Sequence, residues 1–266
     1  MLCNFSPIAW GKVYILVQQK DVLRKMAQSQ YPKKEIPSEK EIFETLKKEG
    51  MEEFLPVLKE HWKVADLMLR KILRNKDEIK NIIETLKKEG LEDFLEDVVL
   101  AHNPKWVLDD LLKRKNALKR IIDKYEKNNT KVAFGKADNR NTFISIIFRT
   151  PEEKEKFMQM KVDMEDVKNG KEPQAIEMPY EEFTLRFKPK MIWYKHKGGI
   201  SKEATYSALM SGYRFARNYK VVLIPIRSID DEDIQIISKL SKNVYPLSDD
   251  NFNELLPIGL AIFIPS

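Results

Sequence analysis

The sequence predicts an α+β protein of two domains, a helical N-terminal domain and a C-terminal α/β domain built on a mixed sheet. The N-terminal part shows helical periodicity and contains a duplicated helix–Gly–helix unit. From Thr130 the chain becomes β-branched and alternates between apolar and polar residues, and near the C-terminus strand-like and helix-like segments follow one another. We place the domains at 1–102 and 103–266, with a long helix over 104–128 at the boundary.

Composition excludes several classes of protein. With 33% charged and 42% apolar residues, the chain is expected to be a soluble globular protein. No apolar run approaches the roughly 18–20 residues of a membrane span, and the N-terminus lacks the features of a signal peptide. Cys3 is the single cysteine, which excludes intramolecular disulfides and cysteine-based zinc sites and favours a reducing, cytoplasmic location. The excess of lysine and glutamate is typical of thermophile proteins.

A helix is predicted over 6–31, and the prolines that follow it interrupt the helical pattern. Ser38 followed by Glu41 has the pattern of a capping box, so the next helix is expected to begin there.

An internal repeat follows. ETLKKEGMEEFL begins at Glu44 and ETLKKEGLEDFL at Glu84, an offset of 40 residues with ten of twelve positions identical. Gly50 and Gly90 suit left-handed positions at helix ends. We expect the two copies to pack as a helical scaffold, which makes a protein partner one interpretation of this domain. A helix-turn-helix is the alternative, but acids begin both post-glycine helices and would repel phosphate.

Asn103 and Pro104 predict the start of the long helix, whose cations are expected on a solvated face. Residues 131–149 predict a β-hairpin, and Thr150 with Pro151 predicts a short helix. Residues 163–180 are polar and are expected to form an insertion or exposed loop.

The C-terminal part continues with a helix predicted over 201–218. KVVLIPI then predicts a strand buried on both faces, DDEDIQIISKL a short helix, and NVYPL and GLAIFIP two further strands.

The strongest functional signal is the run from Phe183 to Lys202, which we call the basic segment. It carries six cations and no acid, which equals the formal net charge of +6 of the whole chain. We predict a hairpin here, divided at 188–190, with cations and a tryptophan on one sheet face. Cations for phosphates and a ring for stacking are typical of nucleic-acid surfaces, although lysines also protect sheet edges. The predicted nucleic-acid-binding residues are Arg186, Lys188, Lys190, Trp193, Lys195, Lys197, Lys202 and Arg217.

The order of elements in the C-terminal half resembles the PD-(D/E)XK, or restriction-endonuclease-like, nuclease superfamily. PYEEF at 179–183, IWYK at 192–195, SKEATYSALMSGYRFARNYKVVLIPI from 201 and PIGLAIFI from 257 carry the resemblance, which covers roughly residues 120–266. It implies a restriction-endonuclease-like mixed sheet. It also implies metal-dependent phosphodiester hydrolysis by two acids and a lysine.

Carried over to this chain, the resemblance assigns Glu182 (or Glu181) as the first acid and Mg²⁺ ligand, and Lys195 as the catalytic lysine. Trp193 stands where the family has its second acid, and a tryptophan cannot ligate a metal. A replacement acid would come from the 163–180 loop, where the candidates are Asp163, Glu165, Asp166 and Glu177.

We therefore expect nucleic-acid binding, in the first place to DNA, through a basic sheet face, with cleavage weak or absent. Two alternatives stay open. One is a helical scaffold for protein–protein interaction, and the other is an active Mg²⁺-dependent nuclease completed by an acid from the 163–180 loop. The sequence leaves open whether the protein is an enzyme, and it is compatible with a homodimer.

Overall fold

The structure is a computed structural model that describes residues 38–126, 142–195, 199–204, 219–241, 243–249 and 256–265, with only the backbone described over 190–204. The chain divides into two compact units, Met1–Asn81 and Ile82–Ser266. The helix predicted over 6–31 and most of the hairpin predicted over 131–149 lie outside the described residues. The α+β class is confirmed, with helices in the N-terminal part and a mixed sheet in the C-terminal part.

The described part of the first unit is helical. It contains α1 (Glu39–Lys48), α2 (Leu55–Glu60) and α3 (Ala65–Arg74), and α4 (Lys76–Lys88) spans the division between the units. The predicted capping box at the start of α1 is confirmed, because the Ser38 hydroxyl accepts from the Glu41 amide and the Glu41 carboxylate accepts from the Ser38 amide at 2.6 Å. Apolar side chains at helical spacing form the core, including Ile42, Leu46, Phe54, Leu58, Met68 and Ile72.

The two copies of the sequence repeat have the same local structure. Gly50 and Gly90 take φ values of +64° and +65°. In each copy the glycine amide and the next amide donate to carbonyls of the preceding turn, at 3.0 and 2.8 Å in the first copy and 3.1 and 2.8 Å in the second. This geometry confirms the predicted left-handed helix ends. A 3-10 turn, Glu52–Phe54 or Glu92–Phe94, then leads into a six-residue helix, which is α2 in the first copy and α5 (Leu95–Leu100) in the second.

A lysine satisfies the carbonyl at the end of the first helix in each copy. The Lys76 ammonium donates to the Glu49 carbonyl, and the Lys115 ammonium donates to the Glu89 carbonyl at 2.7 Å. Lys115 also contacts the Glu89 carboxylate at 2.7 Å, which lowers the pKa of that carboxyl. Each copy therefore combines a left-handed glycine with a cation on the last carbonyls of a helix.

Besides α5, the second unit contains five further helices among the described residues. They are α6 (Pro104–Tyr125), α7 (Pro151–Gln159), α8 (Met164–Lys168), α9 (Tyr180–Phe187) and α10 (Asp231–Leu240). The predictions of α6, α7 and α10 are confirmed. Asn103 and Thr150 cap the first two, accepting from backbone amides three residues ahead at 3.1 and 3.2 Å.

Eight strands of the described residues form one sheet. They are β1 (Thr142–Ile146), β2 (Val162–Asp163), β3 (Ile176–Pro179), β4 (Lys190–Lys195), β5 (Gly199–Ala204), β6 (Tyr219–Arg227), β7 (Val244–Asp249) and β8 (Pro257–Pro265). Their order is β2-β6-β8-β7-β1-β4-β5, and β3 also pairs with β6. The pairs β1–β7 and β2–β6 are parallel and the other pairs are antiparallel. Consequently β1, β2, β6 and β7 all run in one direction.

The core of the second unit lies on the sheet. Alternate residues of β1, β6 and β8 pack with aromatic side chains of α9, and the rings of Phe183 and Phe263 meet edge to face at 6.0 Å. β6 and β8 approach closely at Gly259, where an added Cβ would lie 2.3 Å from the Ile224 carbonyl oxygen. The strands predicted from KVVLIPI, NVYPL and GLAIFIP are confirmed as β6, β7 and β8.

The prediction that Phe183–Lys188 is the first strand of a basic hairpin is wrong, because these residues form and end helix α9. The buried residues Tyr180, Phe183, Thr184 and Phe187 follow helical spacing, and two acids occupy the first turn. Lys188 ends the helix in the left-handed conformation, with φ of 42°. Arg186 and Lys188 therefore do not lie on a strand.

Two further predictions are corrected. Ser201–Ala204 was expected to begin a helix but belongs to β5, because pairing with β4 overrides the helical preference of these residues. The rest of that predicted helix, 205–218, lies outside the described residues. Residues 163–180, expected to form a loop, contain the end of β2, α8 and β3, since the free edge of β6 offers hydrogen bonds to both short strands.

Candidate functional site

The second half of the basic segment forms the β4–β5 hairpin. Trp193 pairs with Lys202 of β5 on one side and with Thr142 of β1 on the other, and Lys195 pairs with Gly199. β5 is the last strand in the described order of the sheet. Because β4 runs antiparallel to β1, Trp193 and Lys195 lie toward the end of the sheet where β1 begins.

The first half of the basic segment lies elsewhere. The Arg186 guanidinium donates to the Glu182 carboxylate at 3.1 Å, lies 3.5 Å from the Glu153 carboxylate, and stacks over the Phe187 ring at 5.2 Å. Two carboxylates therefore compensate its charge. Lys188 is exposed at the end of α9, whereas Lys197 and Arg217 fall outside the described residues.

The residues predicted for catalysis are Glu182 and Lys195. Glu182 is an exposed residue of α9 that pairs with Arg186, and Lys195 ends β4. Within the described ranges, no group of three or more histidine, cysteine, aspartate or glutamate residues can hold a metal ion. The described residues around Glu182 therefore do not fit the Mg²⁺ site that the family resemblance implies.

Five charged residues gather at the opposite end of the sheet, where β1, β2, β6 and β7 all finish; we call them the carboxyl-edge cluster. The register places Ile146 of β1 beside Asp249 of β7, and Asp163 of β2 beside Arg227 of β6. Lys154 comes from α7, which follows β1, and Lys161 is the residue directly before β2. The cluster consists of Lys154, Lys161, Asp163, Arg227 and Asp249.

The cluster contains two ion pairs. The Lys154 ammonium lies 3.6 Å from the Asp249 carboxylate, and the Arg227 guanidinium lies 3.7 Å from that of Asp163. Arg227 also donates to the Lys161 carbonyl at 3.1 Å. The Ser228 hydroxyl donates to the Asp163 carboxylate at 3.2 Å. The backbone of Ser228 is in the left-handed conformation, with φ of 64°.

The Lys161 ammonium lies among these groups and is half-buried. Burial lowers the pKa of Lys161, Asp249 acts to raise it, and the positive charges of Arg227 and Lys154 lower it further. Of the five residues of the cluster, only Asp163 was predicted from the sequence; the three cations and Asp249 were not. The available signal was the alternation in Lys161–Val162–Asp163, which puts two charged residues on one face of a strand.

A second charged group joins α6, α8 and α10. The solvated face predicted for the cations of α6 is confirmed for Lys113, Lys119 and Arg120, which are exposed, and is wrong for Arg114 and Lys115. The Arg114 side chain is only 17% exposed; it donates to Asp110 at 2.7 Å, to Asp230 at 2.6 Å and to Asp233 at 3.1 Å. Lys168 of α8 contacts Asp110 at 2.5 Å. The spacing of four residues between Asp110 and Arg114 was the sequence signal for this network.

Asp233 is the most buried member of the Arg114 network. Its side chain is fully buried, and among the described residues its Oδ1 atom has no hydrogen-bond partner. Burial, reinforced by the charge of Asp230, raises the pKa of Asp233 to about 7 despite the nearby guanidinium. Burial also raises the pKa of Glu232. Because these carboxylates cap α10 and hold α6 through Arg114, we assign the group a structural role.

A cavity of about 390 Å³ lies between α7, β3 and α9, lined among others by Phe157, Ile176 and Phe187. The Glu153–Arg186 ion pair forms part of its wall.

None of the described helices is both long enough and apolar enough to cross a membrane.

Comparison of the chain with protein-family models, with curated proteins and with solved structures finds no match.

Proposed function

We propose that the protein binds nucleic acid, in the first place DNA, through the β4–β5 hairpin, with cleavage weak or absent. The observation that carries this proposal is the pairing of Trp193 with Lys202 across the hairpin. Over 190–204 the sequence has four cations, Lys190, Lys195, Lys197 and Lys202, against one acid, Glu203. Paired positions of antiparallel strands share a face of the sheet. A tryptophan and a lysine at paired positions have the residue types that suit a base and its phosphate.

The position of the hairpin in the sheet supports the proposal. β5 pairs with β4 at one end of the described order, so the hairpin is an edge feature rather than part of the sheet centre. Lys195 pairs with Gly199, and the glycine side of that pair adds no side chain. Phosphate contacts of this kind give affinity without base specificity.

The proposal keeps the finer arrangement expected from the sequence: a nuclease-like domain over 103–266 and a helical domain over 1–102 with a 40-residue repeat that contacts a protein partner. The identical glycine turns of the two copies support the duplication. The single cysteine favours action in a reducing compartment. Trp193 at the position of the family's second acid is the reason to expect little or no cleavage.

Binding of a short fluorescent DNA, measured by anisotropy at about 50 mM salt, tests the proposal. The double variant Lys195→Ala/Lys202→Ala removes two cations of the hairpin, and Lys63→Ala/Lys105→Ala removes two exposed cations from helical segments outside it. We expect DNA binding to be weakened in Lys195→Ala/Lys202→Ala and unchanged in Lys63→Ala/Lys105→Ala. Equal affinities of the two double variants, or no binding by the wild type, would remove the hairpin from consideration.

A metal-dependent nuclease is the second candidate; with Asp163 as its acid, the site would lie at the carboxyl-edge cluster and not beside Lys195. This acid from the 163–180 segment lies at the end of β2, at the edge of the sheet that also carries Asp249 and Lys161. Incubation of DNA with Mg²⁺ or Mn²⁺ tests this function. Cleavage that is abolished by Asp163→Asn supports it, whereas an intact substrate with the wild type rejects it.

A further inference from the structure

We propose that the carboxyl-edge cluster is a binding site for a phosphate group, formed by Lys154, Lys161 and Arg227 and separate from the hairpin. The separation follows from strand direction: Trp193 and Lys195 lie toward the beginning of β1, whereas the cluster lies at the ends of β1, β2, β6 and β7. The site stands independently of the nucleic-acid proposal.

The fold brings the three cations together from distant parts of the sequence. Lys161 directly precedes β2, and β2 pairs in parallel with the end of β6, where Arg227 lies. The hydrogen bond of 3.1 Å from the Arg227 guanidinium to the Lys161 carbonyl fixes these two residues to each other. Lys154 joins them from α7 through Asp249, which lies beside the last residue of β1.

The charges of the cluster are incompletely compensated. It contains three cations and two carboxylates, Asp163 and Asp249. Both ion pairs, at 3.6 and 3.7 Å, are longer than the roughly 2.7–2.9 Å of a charged hydrogen bond. In the described part of the chain, no carboxylate lies within ion-pairing distance of the Lys161 ammonium. The five groups therefore carry one net positive charge, and Lys161 is the half-buried cation among them.

A phosphate group has the chemistry to compensate this charge. Lysine supplies a point charge and arginine a planar fork of donors, and both are common phosphate ligands. Ligand sites in open α/β sheets also lie beyond the carboxyl ends of parallel strands. The lowered pKa of Lys161 has burial as its first cause, and a bound anion would offset that cost by stabilising the charged ammonium.

Titration calorimetry with inorganic phosphate tests the site. Lys161→Met keeps the length of the side chain and removes its charge, and we expect it to weaken phosphate binding about tenfold. Lys171→Met is the matched control, since Lys171 is an exposed residue that pairs with Asp166 outside the cluster. Asp249→Asn removes the carboxylate that competes for Lys154, so we expect it to strengthen binding. Thermal melting of each variant reports that it is folded.

Several results would overturn the site. They are the absence of saturable phosphate binding by the wild type, equal affinities of Lys161→Met and Lys171→Met, and weaker binding by a folded Asp249→Asn variant. Lys195→Ala/Lys202→Ala must leave phosphate affinity unchanged, because a loss there would mean that phosphate binds the hairpin instead. Titrations with a mononucleotide and with a short DNA then identify the source of the phosphate group. The source is the ligand that binds more tightly and whose binding is weakened by Lys161→Met.

Discussion

The Nη1 atom of Arg114 lies 3.1 Å from Oδ2 of Asp233, a carboxylate with no exposed surface. Because removing one partner leaves the other charge buried, Arg114→Met is expected to lower the free energy of unfolding by about 3 kcal/mol. Arg70→Met is the control, since Arg70 pairs with Asp66 on the more exposed surface of α3 and the expected loss is below about 1 kcal/mol. Urea denaturation measures both. Equal losses would mean that the Arg114 network contributes no more than a surface pair.

Asp233 is also expected to make stability depend on pH. Its pKa rises from an ordinary 3.8 to about 7 on folding, so between these values the folded protein binds more protons than the unfolded chain. The contribution of this group is therefore present at low pH and is lost as pH rises from about 4 to 7. The raised pKa of Glu232 acts in the same direction.

Urea denaturation of the wild type and of Asp233→Asn at several pH values measures this contribution, because an asparagine cannot titrate. We expect the advantage of the wild type over the variant to shrink as pH rises from 4 to 7. A constant difference between the two proteins would show that Asp233 keeps an ordinary pKa in the fold.

Two glycines are expected to respond differently to alanine. At Gly50 an added Cβ has no atom within 4 Å, so Gly50→Ala is opposed only by its left-handed backbone and is expected to cost about 1 kcal/mol. At Gly259 the Cβ would lie 2.3 Å from the Ile224 carbonyl oxygen, and Gly259→Ala is expected to cost about 3 kcal/mol. Thermal or urea unfolding measures both variants. A larger loss at Gly50 would contradict the close approach of β6 and β8.

Local signals in the sequence predicted the helix ends and the central strands well. Ser38, Asn103 and Thr150 cap helices where expected, because a capping bond joins residues only three positions apart. The long apolar runs of β6 and β8 were recognisable because a strand buried on both faces has few polar residues.

The sequence misled where a short segment fits two periods. Phe183, Leu185 and Phe187 alternate as in a strand, yet Tyr180, Phe183, Thr184 and Phe187 are the positions that a helix buries. For the carboxyl-edge cluster and the Arg114 network, the sequence carried a signal only for members that are close in the chain, such as Lys161 with Asp163 and Asp110 with Arg114. Other members are separated by tens of residues in sequence, and only the pairing of β2 with β6 and the packing of α10 on α6 bring them together.

The salt dependence of DNA binding tests the central claim most directly. Each cation that neutralises a phosphate contributes roughly 0.9 to the slope of log affinity against log salt concentration. Lys195→Ala/Lys202→Ala is therefore expected to reduce the slope of the wild type by almost two, while Lys63→Ala/Lys105→Ala leaves it unchanged. The same slope in all three proteins, or no DNA binding by the wild type at about 50 mM salt, would contradict the assignment of the β4–β5 hairpin as the nucleic-acid surface.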